Sequence, residues 1–161
     1  MAPTAATFYS QAMPTALYSR DILRLAASIP HLGRLERPQA RVERRSPVCG
    51  SSVAVDMVLD EQGRVVALGQ EVKACALGQA SAALMGAHAL GRTPGELTAA
   101  GESLRLYLAG ERTDPGDWPG LAVFAEARAF PARHDSILLA FDAAAEAARV
   151  AASAAAGATA P

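Results

Sequence analysis

The sequence predicts an α+β fold, a small antiparallel β-sheet of about three strands covered by helices. Three observations carry that expectation. In SSVAVDMVLD, residues 51–60, apolar residues recur with period two, so Val53, Val55, Met57 and Leu59 share one face and Asp56 and Asp60 the other. After the turn EQG, RVVALGQEVKA returns as a second strand, at the spacing of an antiparallel hairpin. After Cys75 the period becomes helical, and a hairpin sheet followed by helices belongs to the α+β class.

Residues 1–16 carry no pattern and are expected to form a flexible N-terminal segment; Met13 is an alternative start, since pattern begins only near Leu17. In LYSRDILRLAASIP, Leu17, Ile22, Leu25 and Ile29 fall on roughly one helical face, and Pro30 stops the helix. HLGRLERP reads as a loop and QARVERRS as a short edge strand. ALGQASAALMGAHAL stacks Leu77, Ser81, Leu84 and His88 at helical spacing. In GRTPGEL, Thr93 and Glu96 form a capping box with Pro94 at the first helical position. The helix they open runs through Leu97, Leu104 and Leu108. GERTDPGDWPG is a loop that Trp118 plugs onto the core, LAVFAEARAF a short helix and DSILLAFDAAAEAARVAA a long terminal one. The domain is expected to span 17–149, followed by a disordered alanine-rich tail, 150–161.

Composition excludes several classes. The chain is 51% apolar and 19% charged with a net charge of −1, which gives no reason to expect a nucleic-acid or membrane partner. Lys73 is the one lysine, and the arginine and alanine excess reads as compositional bias. Two cysteines make no disulfide framework, the N-terminus lacks the cationic and apolar regions of a signal peptide, and no apolar run approaches the roughly 18 residues of a spanning helix. A cytoplasmic location with reduced thiols is the expectation. Dinucleotide, P-loop, zincin and serine-hydrolase motifs are absent from the sequence.

The cysteines are the informative positions. Cys49 lies in a Pro/Gly/Ser turn, SPVCGSS, at the mouth of an apolar strand, where it is open to chemistry. Cys75 lies at a strand-to-helix junction, where unpaired helix amides favour the thiolate and make it the better nucleophile. Either alone reads equally well as an inert small apolar residue. The hairpin brings both to one sheet end, and that favours a thiol pair with a task. His88 reads as a half-buried helix residue and His31 as a loop residue.

These segments resemble the U-type iron–sulfur scaffold proteins (IscU, SufU and the N-terminal domain of NifU). LYSRDIL is similar to the family's opening helix, and Pro30 with Gly33 to the loop after it. PVCGSSVAVDMVLDEQGRV resembles its PxCGD turn and first hairpin, and GQEVKACALGQASAALM the strand, cysteine and serine-rich helix that follow. GRTPGEL is similar to the capped start of the next helix. FPARHDSILLAF resembles the SufU segment FPARxxCxxLAW, and YLAGERTDPGDWPGLAVFAEA has the length of the SufU insertion.

The resemblance implies a scaffold rather than an enzyme: three cysteines and an aspartate hold zinc or a transient iron–sulfur cluster, and cysteines accept sulfur. Cys49 and Cys75 match the first two cysteines, with Cys75 the expected sulfur acceptor. Ser51 stands at the family's aspartate and Ser136 at its third cysteine, so two ligands are lost. Asp135 and His134 are candidate replacements, giving an expected metal set of Cys49, Cys75, Asp135 and His134; Asp135 as a cap of the final helix is the alternative. The implied partners are a cysteine desulfurase and iron–sulfur acceptor proteins, and a homodimer sharing a cluster through two thiols from each chain is one arrangement two cysteines allow. Persulfide relay without a cluster, and a regulatory homologue that binds no metal, are the other readings.

Overall fold

The computed structural model describes residues 17–159; the expected flexible segment 1–16 and the last two residues lie outside them. The order of elements is α1 (Arg20–Ala26), β1 (Ala40–Arg45), β2 (Ser52–Leu59), β3 (Val65–Lys73), α2 (Ala76–His88), α3 (Pro94–Leu108), two 3-10 helices (Leu121–Ala129 and Pro131–Arg133) and α4 (His134–Thr159). The strands form one antiparallel sheet in the order β1-β2-β3. The expected α+β class and three-stranded sheet are what the structure shows.

The period-two pattern of β2 works as read. Val53, Val55 and Met57 are wholly buried on the face that α4 crosses. Along α4 the buried residues past its first two turns are mostly alanines, Ala143, Ala144, Ala147, Ala148 and Ala151 among them. Small side chains let a helix axis lie close to a sheet, so part of the alanine excess has a packing role. Alanine is also the strongest helix former. That accounts for the helix continuing to Thr159 through a segment expected to fray.

Asp56 faces away from that core, as the alternation requires, yet it is 1% exposed. The chain at 33–35 folds over it: Leu35 N–H donates to one carboxylate oxygen at 3.0 Å and Arg41 to the other at 2.7 Å. Gly69, paired with Asp56 across the ladder, makes this possible, because a Cβ there would lie 2.6 Å from the Gly33 carbonyl. The HLGRLERP loop is thus part of the sheet's outer layer, with Leu32 bridging Gln70 in parallel.

The first helix is shorter than its apolar spacing suggested, opening at the Ser19 cap and ending at Ala26, ahead of Pro30. The capping box of Thr93 and Glu96 is complete. Trp118 is buried, with its indole N–H on the Leu84 carbonyl at 2.9 Å and its ring edge-on to Phe141. LAVFAEARA winds as a 3-10 helix rather than a regular one. Its buried residues, Leu121, Phe124 and Ala127, recur every third position, which matches the three-residue turn of that helix.

Removing the Asp56 carboxylate leaves the Leu35 amide without its partner and Arg41 with Glu71 alone. Asp56→Ala is expected to lower unfolding free energy in urea by about 3 kcal/mol, the scale for breaking a buried ion pair. A loss within about 0.5 kcal/mol, the ordinary range for surface changes, would show that this layer carries no stability.

Candidate functional site

The site is the sheet end where β1 turns into β2 and β3 runs into α2. Ser46 to Ser51 connect β1 to β2, closed by Ser46 N–H on Ser51 O at 2.8 Å and Gly50 N–H on Ser46 O at 3.0 Å. Gly50 has φ of +73°, a left-handed conformation that glycine adopts without strain. Pro47, Val48, Cys49 and Gly50 are exposed, whereas Ser46 and Ser51 are buried.

Cys75 is the N-cap residue of α2, extended at φ −65° and ψ 171°, and its side chain makes no bond to the helix amides. Its sulfur instead meets Ser136 Oγ at 3.2 Å. Ser136 lies in the first turn of α4 and is 1% exposed. Two features bring α4 there. Ser81 Oγ of α2 donates to the Ile137 carbonyl. Gly78 of α2 has no side chain to obstruct, since a Cβ would sit 2.7 Å from Ser136 Oγ.

Between the cysteines runs a short chain of polar contacts. Cys49 Sγ lies 3.0 Å from Ser51 Oγ, Ser51 Oγ lies 3.4 Å from Ser136 Oγ, and Ser136 Oγ closes on Cys75. The four positions that the resemblance equates with ligand positions therefore adjoin one another, as two thiols and two hydroxyls. Cys49 is exposed and Cys75 half-buried.

This environment holds the Cys49 thiol below its ordinary range. The Ser51 hydroxyl contributes most, followed by Ser46 and the Ser51 backbone; burial opposes them by more than Ser136 adds. A hydroxyl that accepts from the thiol can rotate and donate to the thiolate, which stabilises the charged form. Sequence reasoning placed the activated thiol at Cys75 through its helix amides. The cap geometry does not supply that contact; Ser136 lies on Cys75, and Ser51 on Cys49.

The other expected metal ligands have contacts of their own. A His134 ring nitrogen lies 2.9 Å from the Ala127 carbonyl. Asp135 stands in the first turn of α4, inside the helix rather than capping it, and lines a groove with Arg44, Arg45 and Arg105 and with Ser46 and Pro47 of the cysteine turn. Among the described residues, no three His, Cys, Asp or Glu side chains gather as a metal-binding group. A single chain thus offers two soft ligands and two hydroxyls, and a hydroxyl is a hard, weakly acidic donor. That set does not fit a zinc ion or cluster held by one chain. Ser46, Ser81 and Gly78 were missed as site-forming residues; only Ser46, three residues before Cys49, gave a local signal.

No family model matches the sequence, and no curated protein matches it. Solved structures do. One is a nitrogen-fixing NifU-like protein (N-terminal) from Brucella abortus, 35% identical, with a TM-score of 0.81 over 87% of this chain and 97% of that one. Another, from the thermophile Fervidobacterium islandicum AW-1, is named as an iron–sulfur cluster assembly scaffold for the SUF system. It is 22% identical, with a TM-score of 0.74 over 80% of this chain and 93% of that one, a likeness of fold alone. Among the described residues no helix is long and apolar enough to cross a membrane.

The hydroxyl contacts give a direct test. In a Cys75→Ser background, the pH midpoint of Cys49 alkylation is expected below that of an unperturbed thiol, and Ser51→Ala should move it upward. The sign follows because removing a donor to the thiolate favours the protonated form. An unchanged midpoint after Ser51→Ala would exclude the hydroxyl as the cause.

Proposed function

We propose that this chain, which belongs to the family of U-type iron–sulfur cluster scaffold proteins, acts in cluster assembly chiefly as a sulfur acceptor, with Cys49 as the accepting thiol. The observation that carries this reading is the hydroxyl-lined thiol pair at one sheet end, with Cys49 exposed and Cys75 half-buried. A thiol that must meet the persulfide of another protein has to be exposed and easily ionised. Cys49 has both properties.

The chemistry is thiol exchange. The Cys49 thiolate attacks the terminal sulfur of a donor persulfide, the kind of group a cysteine desulfurase carries. A new S–S bond forms to Cys49, the donor's S–S bond breaks, and the donor's cysteine leaves as a thiolate. Nothing is oxidised or reduced overall. Ser51, and Ser136 behind it, hold the charge on Cys49 before attack.

The metal side of a scaffold's work is weakly equipped. Ser51 and Ser136 stand where the family has a carboxylate and a thiolate, and neither hydroxyl ionises near neutral pH. Iron, zinc or a labile cluster held as cargo has two cysteine ligands from this chain and requires others from a second copy or an acceptor protein. The sulfur-carrying step needs no further ligand.

Anaerobic incubation with a persulfide-bearing cysteine desulfurase, followed by peptide mass analysis, tests the assignment. In a Cys75→Ser background the mass of one added sulfur is expected on the Cys49 peptide, and adding Cys49→Ser should reduce loading to background. Unimpaired loading of Cys75 in the Cys49→Ser single variant would reassign the acceptor.

A further inference from the structure

We infer that the two thiols act in sequence: Cys75 attacks the persulfide carried by Cys49, releases its outer sulfur as sulfide and leaves a Cys49–Cys75 disulfide. This rests on the sulfur-acceptor reading and adds a reductive activity to it.

The sheet brings the two residues to one end, just past its last pair, Ser52 with Lys73. Contacts of 3.0, 3.4 and 3.2 Å through Ser51 Oγ and Ser136 Oγ link the two sulfurs. A disulfide requires the sulfurs to close to about 2.05 Å, so one side has to move. The two sides differ in freedom. Cys75 is fixed at the start of α2 against buried Ser136, whereas Cys49 sits among exposed residues of a turn closed by two backbone bonds. Cys49 is therefore the side that swings.

The electron count gives the arrangement a purpose. Clusters contain sulfide, whereas the outer sulfur of a persulfide is two electrons more oxidised. A dithiol becoming a disulfide supplies two electrons. In the step itself the Cys75 sulfur attacks the inner sulfur of Cys49–S–SH and forms the Cys49–Cys75 bond. The bond to the outer sulfur breaks, and that atom leaves with its own hydrogen and the Cys75 proton as hydrogen sulfide. Ser136 Oγ, 3.2 Å from Cys75 Sγ, is placed to orient that sulfur for attack. No external oxidant or reductant enters the step. Resetting the pair for another round consumes a dithiol reductant. With two family ligands replaced by serine, both thiols are free for this work.

Anaerobic loading of the whole chain with cysteine persulfide, then desalting, tests the proposal. Sulfide is trapped colorimetrically, and the Cys49–Cys75 crosslink is sought in non-reduced peptides. The wild-type chain is expected to release one sulfide for each disulfide formed. Cys75→Ser should retain the added sulfur on Cys49 and release sulfide at least about tenfold more slowly, the attacking thiol being gone. Serine is a favoured N-cap, so this variant keeps the start of α2. If the wild-type chain holds its persulfide as long as Cys75→Ser does, with no crosslink, the sequential step is overturned while the acceptor reading stands. If Cys49 never takes up sulfur, both fall.

Discussion

The approach of α2 to α4 at Gly78 and Ser136 is the contact on which the site depends. It puts a buried hydroxyl between the start of one helix and the turn that opens a strand. Without it, Cys75 would have no polar neighbour from α4 and the two thiols would occupy separate surroundings. The contact is held from further off by the alanine face of α4 on β1 and β2 and by Ser81 on the Ile137 carbonyl. Small residues at these places let three elements converge within hydrogen-bond distance of one another.

Hydroxyls in place of a carboxylate and a thiolate change what such a convergence can do. Two thiolates, a third thiolate and a carboxylate would repel one another until a cation joined them. Two thiols and two hydroxyls carry little charge, need no cation, and can donate to whichever sulfur ionises. The same four positions that would trap metal when anionic leave sulfur free to react when half of them are neutral. The 35% identity to a NifU-like domain and the TM-score of 0.81 therefore fix the family and fold, while the side chains determine the chemistry.

What was legible in the sequence was local. The β2 alternation, the EQG turn and the Thr93–Glu96 capping box are each set within a few residues, and they formed as read. The placing of both cysteines at one sheet end was legible too, because hairpin register is arithmetic. Asp56 burial was not, since it depends on the chain at 33–35 crossing Gly69. Low complexity at the C-terminus suggested fraying, yet alanine propensity and continuity with the buried part of α4 keep that segment helical. The surroundings of each sulfur were beyond reach for another reason. They turn on where a side chain points relative to neighbouring amides and hydroxyls, and no pattern of residue types records that direction.

The central claim is that Cys49, Ser51, Cys75 and Ser136 form one cluster with the chemistry of its hydroxyls. Cobalt(II) binding by the Ser51→Asp, Ser136→Cys double variant tests it most directly, because tetrahedral sites of mixed sulfur and oxygen ligands have a distinct visible spectrum. One tightly held ion per chain with tetrahedral bands, displaced by zinc, is the expected result, against weak binding by the unaltered chain. A folded double variant that binds cobalt no better than the unaltered chain would mean that the four side chains do not share a site.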